Sequence, residues 1–254
     1  MQLELSEHEA YPMHDMASRL AAIHEQIDEA ARRAGRDCRE VRLIAVSKAH
    51  PAEAVMAAVH AGQIVFGENR VQEALDKQAS LNVLPAAVPP LEWHLIGHLQ
   101  SNKARIVPAA FQWVHSVDRL ELARRLNDAA QIAGIACNAL IQINVDEDPN
   151  KHGIAPADLV PLVETILEAN FAGLSLRGLM TIGRLNAGEA QTRRAFAQLR
   201  ELRDALRERM DLPEFSELSM GMSGDFPWAI AEGATMVRVG NALFGTRKAV
   251  GRIQ

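Results

Sequence analysis

Short apolar, β-branched runs alternate with Ala-rich helical stretches from residue 41 almost to the end of the 254-residue chain, and no other feature restricts the fold as strongly. The first run, 41–47 (VRLIAVS), precedes a helical stretch at 51–61 and a second run at 63–66 (QIVF). Further strands are expected at 92–96 (EWHLI), 112–116 (QWVHS), 139–145 (ALIQINV), 176–182 (LRGLMTI), 215–219 (FSELS) and 235–239 (TMVRV). Helical stretches lie between them, including 119–133, 156–170 and 188–210, the last with Arg and Glu residues that suit a solvated outer face. Eight βα units in a chain of this length favour an α/β fold with one closed (β/α)8 barrel over a doubly wound sheet.

Before the first strand, apolar residues at Leu20, Ile23, Ile27 and Ala31 predict an extra N-terminal helix over 16–34, with Gly35 as its C-cap. The expected organisation is an acidic, flexible extension over 1–15 and one barrel domain over 16–254. The Pro-containing loop 83–91 falls between a helix and a strand, so it reads as a surface loop and not as a linker.

Charge and composition exclude several classes of function. The 27 basic and 32 acidic residues are spread along the chain with no basic block longer than two, which leaves no footprint for nucleic acid or an anionic membrane. Cys38 and Cys137 fall in different elements, so neither a disulfide framework nor a Cys-rich metal site is expected, and a reducing compartment is the simpler reading. The acidic N-terminus has no signal-peptide order and no apolar run reaches membrane-spanning length, so the expected location is the cytoplasm.

In a barrel, functional groups gather at the C-terminal ends of the strands. Lys48 closes the run LIAVSK, and period-2 alternation places Ile44, Val46 and Lys48 on one side, facing the barrel interior. An ammonium among apolar walls loses charge stabilisation and yields a nucleophilic amine able to form a Schiff base with an aldehyde; alternatively the lysine simply extends past the strand end into water. The segments SMGMSGD (219–225) and VGNALFG (239–245) follow strands 7 and 8, the usual phosphate-binding loops of barrels. In the first, Ser223 or Asp225 is placed to cap a helix starting near Phe226, and Gly240 opens the last helix. An amine for an aldehyde and a cup for a phosphate are together the two attachments that pyridoxal phosphate requires. Arg238 shares a strand face with position 240, which suits either a donor to a pyridine nitrogen or an ion pair elsewhere in the barrel.

His94 and His98 stand four apart, but Gly97 intervenes and His94 ends a strand, so a shared metal site is not expected; packing explains His94 better than the alternative, an approach to the cofactor pocket from a strand's C-terminal end. The segment DEDPNKHG (146–153) reads either as a lid over the site or as an ordinary polar loop.

The motifs IAVSK (44–48), FGENRVQE (66–73), WHLIGHLQSNK (93–103), INVDEDPNKHG (143–153), GLMTIG (178–183) and LSMGMSGDFPWAI (218–230) carry a family resemblance. Over roughly 16–247 the chain resembles the YggS/PROSC family of pyridoxal phosphate homeostasis proteins, related to the barrel domain of alanine racemase. The resemblance implies a fold-type III barrel, with pyridoxal 5'-phosphate held as an imine on Lys48. It further implies a phosphate cup of Ser223, Gly240 and Asn241, Arg238 at the ring nitrogen, and Asn69 and Met180 lining the pocket; Ser219 completes the expected cofactor-binding set. Family members often carry threonine where this chain has Asn241, so only that residue's backbone N–H is expected to matter.

The resemblance implies reversible storage and delivery of the cofactor, with pyridoxal-phosphate-dependent apoenzymes as recipients and an indirect effect on amino-acid and keto-acid balance; a single barrel without the racemase's second domain leads to the expectation of a monomer. No residue is assigned a catalytic role. Alanine racemase draws a second base, a tyrosine, from an additional β-domain, whereas the one tyrosine here is Tyr11 in the N-terminal extension. The alternative reading is a racemase or a Schiff-base lyase or aldolase that uses Lys48.

Overall fold

The computed structural model describes residues 13–81, 85, 88–184 and 187–245. Eight parallel strands close on themselves in sequence order: β1 (Arg42–Val46), β2 (Val65–Glu68), β3 (Glu92–Leu95), β4 (Trp113–Val117), β5 (Cys137–Gln142), β6 (Leu174–Met180), β7 (Glu217–Met222) and β8 (Met236–Val239). β1 pairs with both β2 and β8, which closes the ring and confirms the (β/α)8 barrel read from the alternating pattern. Helices follow the strands on the outside, among them α2 (Ala52–His60), α3 (Val71–Ser80), α4 (Val107–Ala110), α5 (Leu120–Ala133), α6 (Leu159–Glu168) and α7 (Glu189–Met210). Two short ones, α8 (Phe226–Ala231) and α9 (Asn241–Phe244), follow β7 and β8.

The expected N-terminal helix is α1 (Met13–Arg33), which begins inside the segment expected to be a flexible extension. It buries Leu20, Ile23, Ile27 and Ala31 and lies against α2, α8 and α9. Each buried Leu or Ile contributes roughly 1.5–3 kcal/mol of transfer free energy, which docks the helix firmly to the barrel. At its end Arg36 N–H reaches Ala31 O and Gly35 N–H reaches Arg32 O, so Gly35 closes the helix as expected. In the loop 83–91, Val88 packs on the core and donates its N–H to Pro85 O.

Several strand boundaries differ from the sequence expectation, and β6 both starts and ends two residues earlier than expected. β2 and β7 start two residues later than expected, and β5 ends at Gln142 instead of Val145. The β7 shift matters most: Ser219–Met222 is strand, so the loop after it shrinks to 223–225. Gly221 adopts φ +90 with a register irregularity between Ser219 and Met222, and a Cβ there would lie 2.6 Å from Ala229 Cβ. A glycine-borne bulge of this kind lets a strand continue where composition suggests a loop.

The main apolar core lies between strands and helices. Inside the barrel, Ile44, Trp113, Leu140, Met180 and Met236 form a second apolar layer. The buried polar side chains of His94, His115, Ser219 and Arg238 join this interior, and Arg238 is in register with Ile44 across β8 and β1.

Candidate functional site

A cavity of about 570 Å³ opens at the C-terminal end of the barrel. Lys48, Asn69, Ser223, Arg238, Gly240 and Asn241 all line it, so six of the eight expected residues meet at one site. The other two do not reach it. Met180 is fully buried in the interior apolar layer, because β6 ends there and Ile182, two residues on, takes the place at the cavity wall. Ser219 is fully buried behind Arg238, to which it is hydrogen bonded, and acts at one remove.

Lys48 is half-buried in the turn that leaves β1, and Val46 two residues earlier lines the same cavity, as strand alternation requires. A buried charged cluster holds the backbone on both sides of it. Lys77 Nζ donates to the Ser47 carbonyl at 2.7 Å and to Glu68 Oε1 at 2.6 Å. Ser47 Oγ donates to the same Glu68 oxygen at 2.7 Å, and Ala49 N–H donates to Glu73 Oε1 at 2.5 Å. Ala49 sits at φ +61, a conformation that costs a residue with a side chain free energy and persists because its neighbours determine it. Burial raises the Glu68 pKa, against the lowering effects of Lys77 and Ser47.

Ser223 Oγ accepts two N–H groups that follow β8, the strand paired with β1: those of Gly240 at 3.4 Å and Ala242 at 3.5 Å. Both contacts are long, so a hydroxyl and two backbone donors converge on one point without being consumed by it. That is the donor arrangement a small oxyanion needs. Asp225 stands at the N-cap of α8, as one of the two expected candidates, but its side chain makes no capping bond: Asp225 Oδ1 turns back to accept Met222 N–H at 2.6 Å, which tightens the turn instead.

Arg238 both lines the cavity and is tied from behind, by Nη1 to Ser219 Oγ at 2.6 Å and by Nη2 to Thr181 O at 2.8 Å. Burial pushes its pKa down to about 10, which still leaves it charged at neutral pH. No ion pair to Arg238 forms among the described residues, so its expected alternative role as a salt-bridge partner is not what holds it.

The remaining walls include segment 146–153, read from the sequence as a lid or a polar loop, and residues such as Ile96, Gln142 and Ile182 that were not singled out there. Segment 146–153 forms one side through Asn150, Lys151 and His152, and is fastened there by Lys151 to Asp146 at 3.0 Å and by Gln142 Nε2 to His152 O at 3.1 Å. His98 stacks on His152 with ring centroids 4.0 Å apart at the cavity mouth. Desolvation, and next His152, lower its pKa. A Cβ at Gly97 would run into the Asn69 backbone, so the β3 loop passes the β2 loop only as glycine. His94 is buried inside the barrel, away from His98, bonded to His115 and Glu92. Among the described residues no group of three or more His, Cys, Asp or Glu is placed to hold a metal, and no helix is long and apolar enough to cross a membrane.

Residues 18–248 match the family described as alanine racemase, N-terminal domain. The chain is 48% identical over 235 residues to the pyridoxal phosphate homeostasis protein of Pseudomonas aeruginosa, covering 92% of this chain and 97% of that one. PipY of Synechococcus elongatus PCC7942, solved with PLP bound, superposes with a TM-score of 0.78 at 44% identity, over 91% of this chain and all of that one. Alanine racemase from Streptomyces coelicolor A3(2) shares the fold with a TM-score of 0.67 at 22% identity, over 91% of this chain and 58% of that one.

Proposed function

The chain belongs to the alanine racemase N-terminal domain family and, within it, to the pyridoxal phosphate homeostasis proteins, and from that premise we propose that it binds pyridoxal phosphate on Lys48 to hold and release it. The observation that carries this reading is the meeting, around one cavity, of the Lys48 amine with the Ser223, Gly240 and Ala242 donors and with Arg238. Pyridoxal phosphate supplies an aldehyde that condenses reversibly with a primary amine, a ring nitrogen, and a phosphate dianion. The residues fit each part.

Lys48 is the amine at the end of β1. Ser223 and the two backbone N–H groups are the phosphate donors, which leaves the Asn241 side chain with no required part in the cup. Arg238 offers a fixed positive charge that disfavours a proton on the ring nitrogen, and so weakens the ring as an electron sink. Asn69 and the 146–153 wall confine the remaining space. Custody of the cofactor suits such a site better than turnover: the single tyrosine of the sequence, Tyr11, lies outside the described residues, and among the described residues no tyrosine lines the cavity. A cytoplasmic monomer that supplies dependent apoenzymes is the setting we propose.

Comparing affinity for pyridoxal phosphate with that for pyridoxal tests the reading. The phosphorylated form is expected to bind far more tightly and to develop a visible absorption band. Equal, weak binding of both would contradict it.

A further inference from the structure

A line of hydrogen bonds crosses the barrel interior from one end to the other. Arg238 Nη1 donates to Ser219 Oγ at 2.6 Å, Ser219 Oγ lies 2.9 Å from His115 Nδ1, His115 Nε2 lies 2.8 Å from His94 Nδ1, and His94 Nε2 lies 2.7 Å from Glu92 Oε1. Arg238 faces the cavity, whereas Glu92 stands at the opposite end of the barrel, at the start of β3, where Arg42 pairs with it at 3.0 Å.

The charges at the two ends fix the proton positions between them. The hydrogen bond from His94, opposed only in part by desolvation, holds Glu92 below the usual carboxylate range, so Glu92 is an acceptor. His94 must then carry its proton on Nε2. Burial lowers its pKa, leaving Nδ1 an acceptor, and His115, driven well down by burial and by His94 and Arg238, is neutral as well. It follows that His115 carries its proton on Nε2 and accepts on Nδ1, and that Ser219 donates to it while accepting from Arg238. Every donor points from Arg238 towards Glu92.

We propose that Glu92, His94, His115 and Ser219 are positioning residues for the cavity, forming a proton-ordered chain that orients Arg238 and sustains its charge through a carboxylate at the far end of the barrel. The inference deepens the cofactor-binding reading and rests on it for the consequence at the cavity, but the order of protons in the chain can be measured without any cofactor. Buried chains of this kind polarise along their length, so a change at one end is felt at the other.

The test uses the full chain labelled with ¹⁵N in histidine, free of cofactor. Long-range ¹H–¹⁵N correlation is expected to show His94 and His115 neutral and protonated on Nε2. A His115 proton on Nδ1, or a charged ring at either position, would overturn the proposal. Glu92→Gln keeps an acceptor for His94 and removes the charge; it is expected to displace the His115 nitrogen signals, and unmoved signals would count against the chain. In the pyridoxal phosphate titration, Glu92→Gln is expected to weaken binding roughly fivefold in the parent and to have no effect in Arg238→Gln. Equal losses in both backgrounds would refute action through Arg238. If the parent bound no pyridoxal phosphate, the functional reading would fail while the nitrogen signals still decided the order of the chain.

Discussion

The Lys77 ammonium lies 2.6 Å from the Glu68 carboxylate with both side chains withdrawn from water, at 7% and 0% exposure, directly behind the turn that carries Lys48. The pair therefore does two things: it neutralises two buried charges, and through the Ser47 carbonyl and, via Glu73, the Ala49 amide it sets the backbone from which Lys48 projects.

Lys77→Met leaves Glu68 buried without its cation, a loss that typically costs about 3–5 kcal/mol. The double variant Lys77→Met, Glu68→Leu removes both charges and is expected to recover most of that stability. Chemical denaturation of the two variants checks this, and a double variant no more stable than the single one would show that the pair contributes through geometry alone.

Acid sensitivity follows from the interior histidines. Burial holds the folded pKa values of His94 and His115 below the usual 6.5, so as the pH falls through that region the unfolded chain takes up protons that the folded chain refuses. Stability is thus expected to rise with pH up to about 6.5 and to decline below it. Replacing His115 by Gln is expected to reduce that slope by up to ~1.4 kcal/mol per pH unit, read from urea titrations between about pH 5.5 and 6.5.

Ser223 Oγ is the point on which Gly240 N–H and Ala242 N–H converge. Ser223→Ala is expected to weaken pyridoxal phosphate binding about tenfold, as for loss of one hydrogen bond to a charged group, and to leave pyridoxal binding nearly unchanged. Parallel titrations with the two compounds measure the difference.

Gly97→Ala forces a methyl group against the Asn69 backbone, where no flexible side chain can give way. The β2 and β3 loops must separate, so both stability and pyridoxal phosphate affinity are expected to fall, whereas Gly188→Ala, with open space around the new Cβ, is expected to be mild in both respects. Thermal unfolding and the cofactor titration on the two variants make the comparison.

The barrel was legible because most of its strands are short apolar or β-branched runs between helical stretches, a local signal that survives without knowledge of neighbours. Lys48 was legible for the same reason, since alternation from Ile44 and Val46 carries it inward. Boundaries depend on less local causes: Gly221 looks like loop composition, and only its packing against α8 lets β7 run on to Met222. Met180, expected at the cavity from the family resemblance, and Ser219, counted with the cofactor-binding set, both lie one layer below it, a depth along the barrel axis that sequence order does not reveal. The interior polar chain was hidden more deeply. Inward alternation in EWH and WVH puts Glu92 with His94 and Trp113 with His115, which was the available signal, but the contact between the two imidazoles crosses from β3 to β4 and the Ser219 hydroxyl that completes the line comes from β7, far away in sequence.

The central claim is that Lys48 is the attachment point for pyridoxal phosphate, and reductive trapping tests it most directly. Protein incubated with pyridoxal phosphate, treated with borohydride and digested is expected to yield one stoichiometrically modified peptide, labelled at Lys48, and Lys48→Ala is expected to yield none. Stoichiometric label at another lysine, or none in the parent protein, would contradict the account.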